Sequence, residues 1–117
     1  MMSMQLARLE IRGDRVLVAR IDGEVDMSNA ADLQRAIVAR LSNHAAGLVL
    51  DLSGVEYLDS AGIHVIYELR EQLEARGLRL RLVVPPDAPT LMALQLTGVP
   101  DAVAMHDSVA EAEASIG

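Results

Sequence analysis

The 117-residue sequence contains no cysteine, lysine, phenylalanine or tryptophan, and Tyr57 and Tyr67 are its only tyrosines. The lack of cysteine excludes disulfides, thiolate metal ligands and thiol catalysis, and it fits a reducing cytoplasm. The lack of lysine excludes Schiff-base chemistry and the lysine of a P-loop. A core must therefore be built from Leu, Val, Ile, Met and Ala. Because 51% of the residues are apolar, we expect one domain over residues 1–117.

Long hydrophobic runs and concentrated positive charge are also missing. No apolar run approaches the roughly 20 residues that a membrane span needs, and the N-terminal residues are too polar for a signal peptide. The formal net charge is -7, and the ten basic residues are all arginines that form no run. Nucleic acids and membrane surfaces both require a concentrated positive face. We therefore expect a cytoplasmic protein that binds neither.

The N-terminal pattern predicts a β-hairpin. Apolar and charged residues alternate over Gln5–Arg12, and a second strand over Arg15–Ile21 follows a compact turn at Gly13-Asp14. One edge of this hairpin would be free. Its Arg and Glu side chains disfavour pairing with another chain.

Helix and strand patterns alternate after the hairpin, which predicts a mostly parallel sheet. The fold class is therefore α/β, a single domain with a mixed sheet of four to five strands, an N-terminal hairpin and about four helices. Gly77 is expected in the left-handed conformation at a helix end. Ser28 or Asp26 would cap the first helix and Asp59 or Ser60 the second. The predicted elements are a helix over residues 28–41, a strand over 47–52, a helix over 60–76, a strand over 78–84, a helix over 90–97, a strand over 103–105 and a helix over 108–115 that begins with a capping box.

Ser60, within Asp59-Ser60-Ala61-Gly62 at a strand–helix junction, is the main candidate for chemistry. An α/β-hydrolase elbow needs glycine two residues before the serine, where this chain has Leu58. His64 would share a helix face with Ser60, but no third group orients it as a base. We therefore expect no enzyme and no catalytic residue. A plain N-cap remains an alternative for Ser60.

Other sites of chemistry are poorly supported. A phosphate-accepting Asp51 would need a lysine, so we expect Asp51 to organise a turn at Ser53-Gly54 instead. Glu24 and Asp26 could hold a hard cation, but a solvated acidic loop explains them better, and the three histidines are scattered. No glycine-rich phosphate loop occurs. We expect no metal and no cofactor.

The segment from Asp51 to Ile63, DLSGVEYLDSAGI, resembles the signature of the STAS domain family, the anti-sigma factor antagonists of bacteria. Gly23-Glu24-Val25-Asp26 is similar to the family's loop after the second strand. Leu96-Thr97-Gly98-Val99 is similar to its Leu-Thr-Gly stretch before the last strand. The resemblance covers essentially the whole chain, with the motifs in the expected order, and it implies a STAS-type fold.

The resemblance implies that Ser60 is phosphorylated by a partner that is both anti-sigma factor and ATP-dependent serine kinase. It places Glu24, Asp26 and Asp59 on the partner-binding surface with Ser60, and Gly62 where the partner could approach the backbone closely. The unphosphorylated form would bind the kinase and release the sigma factor. Phosphorylation would switch binding off, and a phosphatase would reset the protein.

Two alternatives stay open. The chain could be an unphosphorylated STAS accessory subunit of a transporter or other complex, which shares the fold. Nucleotide binding is known for some members of the family, although the sequence offers no phosphate-binding element beyond a helix N-terminus. Ala61 stands where many members carry Ser or Thr, which leaves Ser60 as the hydroxyl at this junction.

Overall fold

The computed structural model describes residues 2–4, as backbone, and residues 6–117 with their side chains. These residues form one sheet and five helices. The strands are β1 (Met2–Met4), β2 (Ala7–Arg12), β3 (Val16–Val25), β4 (Gly47–Leu58), β5 (Arg79–Val83) and β6 (Ala104–His106). The helices are α1 (Ala30–Arg40), α2 (Ser60–Ala75), α3 (Leu91–Leu96), α4 (Val99–Ala102) and α5 (Val109–Ile116).

The six strands lie in the sheet in the order of the sequence. β1, β2 and β3 pair antiparallel, whereas β3, β4, β5 and β6 pair parallel. Each parallel step needs a crossover connection, and the helices supply it. The crossover helices pack on one face of the sheet, and α5, which follows the last strand, covers the other.

Two apolar clusters hold the helices on the sheet. The larger one packs α1 and α2 on one face through side chains such as Leu33, Ile37 and Leu69, all at most 1% exposed. The smaller one packs Ala112 and Ile116 of α5 on the opposite face, against valines of β3, β4 and β5. Successive side chains of a strand point to opposite faces, so the continuous apolar run at the start of β4 supplies both clusters. The predicted strand over residues 47–52 is confirmed as the start of β4, and all six of these residues are buried.

The predicted fold class is confirmed, with one strand and one helix more than expected. β1 pairs with β2 and occupies the hairpin edge that the sequence left free. Gln5, the first residue of the predicted hairpin, lies outside the described residues. α4 is a separate short helix because Gly98, at a φ of 78°, ends the preceding helical segment, and Pro100 suits the first turn of a new one.

β4 is twice as long as the predicted strand, which corrects the expected turn at Ser53-Gly54. The strand keeps pairing with β3 as far as Leu58, and two register shifts let it carry extra residues. The buried Asp51 carboxylate accepts hydrogen bonds from the backbone amide of Ser53 at 3.0 Å and from its hydroxyl at 2.6 Å. The Asp51 carboxylate therefore accepts hydrogen bonds from a bulged strand rather than from a turn.

Local signals at helix ends are largely confirmed. Gly77 follows α2 at a φ of 73°, as expected of a left-handed terminal residue. The Ser108 hydroxyl accepts a hydrogen bond from the amide of Glu111 at 3.2 Å and caps α5. In the described part of the chain, no helix has the length and apolar character needed to cross a membrane.

Candidate functional site

The site is built where β3 and β4 end side by side. Val25 and Leu58, the last residues of the two strands, are register partners, and the amide of Asp59 donates to the carbonyl of Val25 at 3.2 Å. α2 begins at the next residue, Ser60. Parallel pairing therefore brings two candidate segments, the loop after β3 and the start of α2, to the same end of the sheet.

Asp59 is the N-cap of α2. Its Oδ1 accepts hydrogen bonds from the amides of Ala61 at 2.9 Å and Gly62 at 3.2 Å. Its Oδ2 accepts the amide of Met27, in the loop after β3, at 3.3 Å. One carboxylate thus caps the helix and ties the neighbouring loop to it. Of the two caps that the sequence allowed here, the structure selects Asp59.

Ser60 is the first residue of α2 and is exposed to solvent. Among the described residues, its hydroxyl has no hydrogen-bond partner. His64, one turn later, is 71% exposed, and its Nε2 contacts a carboxylate oxygen of Glu68 instead. Because the base of the hypothetical Ser–His pair is turned to another residue, the geometry of an activated nucleophile is not formed.

Asp26, in the loop after β3, folds its carboxylate onto Ser28. The Ser28 amide donates to Asp26 Oδ1 at 2.8 Å, and the Ser28 hydroxyl donates to the same oxygen. Both bonds hold the pKa of the Asp26 carboxyl below its ordinary value, so this group is ionised at neutral pH. The expectation that Ser28 or the Asp26 side chain caps α1 was wrong. Asn29 occupies the N-cap position, and its side chain makes no capping hydrogen bond to the helix.

The loop after β3 is held by Asn29, a residue that the sequence interpretation missed. Asn29 is 1% exposed, its side-chain amide donates to the carbonyl of Glu24 at 2.9 Å, and its Oδ1 accepts the amide of Asp26 at 3.1 Å. A polar side chain directly before the first apolar residue of a helix was the available signal. Through these bonds the residue before α1 is tied to Glu24 and Asp26 at the end of β3.

Gly62 faces the interior rather than the solvent. A Cβ at this position would lie 3.0 Å from Cγ of Leu58 and 3.1 Å from Cγ1 of Val25. The absence of a side chain therefore lets α2 pack closely on the ends of β3 and β4. The structure gives this glycine a packing role, and its contact with a partner stays a prediction.

The arrangement offers a surface rather than a pocket. The cavity beneath α1 and α2 has a volume of about 20 Å³ and is lined by apolar side chains, room for about one water molecule. No group of three or more His, Asp or Glu side chains in the described residues could hold a metal ion. What the site presents outward is an exposed hydroxyl and the acidic groups around it.

Comparison with known proteins gives similar sequences and solved structures, among them anti-sigma factor antagonists. A segment of 58 residues is 38% identical to the anti-sigma-F factor antagonist RsfB of Mycobacterium tuberculosis. This segment covers 50% of the present chain and 48% of that protein. The match thus spans about half the length of the curated relative.

Solved structures resemble the chain over nearly its full length. An anti-sigma factor antagonist from Mycobacterium paratuberculosis superposes with a TM-score of 0.82 at 28% identity, covering 94% of this chain and 93% of the other. The anti-sigma factor antagonist SpoIIAA, in its unphosphorylated form, superposes with a TM-score of 0.74 at 18% identity over 94% and 95% of the two chains, a likeness of fold alone. The STAS domain family model matches residues 9–112. The chain therefore belongs to the STAS domain family.

Proposed function

We propose that this protein is an anti-sigma factor antagonist, and that phosphorylation of Ser60 controls its binding to an anti-sigma factor. The observation that carries the proposal is the position of Ser60, an exposed hydroxyl at the first residue of α2 beside the Asp59 cap and the Asp26 loop. A kinase can reach such a hydroxyl without unfolding the domain.

The relatives support this assignment. The similar proteins from the two Mycobacterium species are both named anti-sigma factor antagonists. The name of the SpoIIAA structure distinguishes an unphosphorylated form of that protein. For the present chain we infer the same class of partner, an anti-sigma factor that is also an ATP-dependent serine kinase. A phosphatase acting on phosphorylated Ser60 would restore the binding form, and these partners imply a cytoplasmic site of action.

The hydrogen bonds at the start of α2 favour a switch of surface charge. A phosphoryl group adds about -1.5 to -2 charges, and the amides of a helix N-terminus are its usual ligands. Here Asp59 already accepts the amides of Ala61 and Gly62, and its carbonyl accepts that of Ile63. A phosphoryl group on Ser60 would therefore stay on the surface beside an existing negative charge, where an incoming partner meets it.

The charge of the protein indicates the charge that we expect on the binding surface of the partner. The formal net charge is -7, and Glu24, Asp26 and Asp59 lie at the same end of the sheet as Ser60. A partner that docks here is expected to be locally basic, which speeds association and orients the complex. A dianion buried in such an interface without a dedicated pocket loses its hydration and is repelled by Asp59, so it weakens binding.

Isothermal titration against the anti-sigma factor encoded nearest the gene tests the proposal. We expect Ser60→Glu to weaken binding about 100-fold or more. Ser60→Ala, the matched control, should bind like the wild type because it keeps the Asp59 cap and adds no charge. Equal affinity of wild type and Ser60→Glu would refute control by phosphorylation. Failure of the wild type to bind would favour the accessory-subunit alternative.

A further inference from the structure

Five large apolar side chains of the described residues are exposed, and three of them lie at the end of the sheet that carries Ser60. These three are Leu6 at 55%, Tyr57 at 52% and Met27 at 84% exposure. The other two, Met92 and Leu96, lie on α3. Single exposed apolar residues are ordinary, but a group of them marks an interaction site.

The three residues are joined through neighbouring backbone segments. Glu24 donates its amide to the carbonyl of Leu6 at 2.9 Å on one side and is the register partner of Tyr57 on the other. Leu6 and Tyr57 therefore lie on opposite sides of Glu24, each one strand spacing away from it, and their backbones are about 10 Å apart. Met27 follows β3 and donates its amide to Asp59, the residue before Ser60.

Stability of the fold does not account for the side chains of Leu6 and Met27. Leu6 has a φ of 67°, a left-handed conformation that glycine or asparagine adopts with less strain. Met27 contributes only its backbone amide to the hydrogen bonds of the site. Because neither side chain is buried in the fold, the apolar surface of both is available for contact with another molecule.

We propose that Leu6, Met27 and Tyr57 form an apolar patch that anchors the partner beside Ser60. The occupant is a protein with an apolar pocket surrounded by basic residues, because acidic residues adjoin each part of the patch. Glu56 and Asp26 directly precede Tyr57 and Met27 in the chain, Glu24 is the register partner of Tyr57, and Asp59 accepts the Met27 amide. The patch supplies most of the affinity, as apolar and aromatic anchors do at interface centres, and the acidic border orients the complex. This inference rests on the proposed function, since it names the partner chemistry of the same surface.

Met27→Ala tests the patch, and Met92→Ala is the matched control. Both methionines are highly exposed, at 84% and 70%, so neither substitution should alter the fold. We expect Met27→Ala to weaken binding of the anti-sigma factor at least about tenfold in isothermal titration. Met92→Ala should bind like the wild type. Tyr57→Ala is a second test, with circular dichroism to verify that the variant is folded.

The outcomes separate this inference from the proposed function. If Ser60→Glu weakens binding while Met27→Ala and Tyr57→Ala do not, the patch is refuted and the phosphorylation switch stands. If the patch variants weaken binding but Ser60→Glu does not, the patch stands and the switch is refuted. Equal losses from Met27→Ala and Met92→Ala would show that the anchor is not specific to the patch and overturn it. A wild type that does not bind this partner overturns both.

Discussion

Replacing Asp59 separates its two roles, as a helix cap and as a surface charge. Asp59→Ala removes three hydrogen bonds, from the amides of Ala61, Gly62 and Met27. Loss of an N-cap costs about 1 kcal/mol. The Met27 bond is exposed and adds little beyond this, since water replaces it. We therefore expect a loss of about 1–2 kcal/mol, which lowers the Tm by about 4–8 °C in a domain of this size.

Asp59→Asn is the control for the capping role. Asparagine caps a helix about as well as aspartate, and its side-chain oxygen can accept the same amides. Only the attraction of a negative charge to the helix dipole is lost, about 0.3–1 kcal/mol. Urea unfolding followed by circular dichroism measures both variants. Wild-type stability of Asp59→Ala, or equal destabilisation by the two substitutions, would refute the assignment of Asp59 as the cap.

Three further predictions concern the same end of the sheet. Ser28→Ala removes the hydroxyl donor to Asp26 and keeps the backbone amide donor, so it should raise the pKa of that carboxyl part of the way toward its ordinary value of 3.8, as followed by carbon NMR titration. The stabilisation from the lowered pKa is present above pH 3.8 and is lost as the pH falls through the folded-state pKa, so wild type and Ser28→Ala should converge in stability in acid. Gly23→Ala should strongly destabilise the protein or prevent its folding, because the φ of Gly23 is 100° and a new Cβ would lie 3.3 Å from Cα of Ala7 and closer still to the carbonyl of Leu6. Unchanged stability in urea would contradict this. Ser60→Glu should leave the Tm within a few degrees of the wild type, because repulsion between exposed charges about 6 Å apart is only about 1 kcal/mol. A large drop of the Tm in calorimetry would indicate that the switch acts by unfolding.

The parts of the fold that depend on local signals were predictable from the sequence. Gly77 and the Ser108 capping box mark helix ends through interactions within a few residues, and the structure has both where the pattern predicted them. Hydrophobic periodicity likewise predicted helices over residues 28–41 and 60–76, where α1 and α2 lie. Asp59 and Ser60 were equally suitable caps by residue type. In the structure Asp59 accepts the amides of Ala61 and Gly62, and it also accepts the amide of Met27, 32 residues earlier, a contact that no local pattern contains.

The parts that depend on contacts between distant segments were not predictable. The bulges of β4 arise from its register with β3, which the sequence of β4 alone does not specify, so Ser53-Gly54 resembled a turn. Asn29 acts by reaching back to Glu24 and Asp26, and residue type alone did not distinguish it from Ser28 as a cap. The exposure of Met27 could not be predicted from the sequence either, because a methionine beside a helix start is more often part of the core.

Phosphorylation of Ser60 is the central claim, and an intact-mass spectrum tests it most directly. The protein and its Ser60→Ala variant would be incubated with ATP and the anti-sigma factor kinase encoded nearest the gene. The account predicts that one phosphoryl group is added to the wild type and none to the variant. No addition to the wild type, by a kinase that is active on another substrate, would contradict the account and leave Ser60 as an exposed residue beside the Asp59 cap.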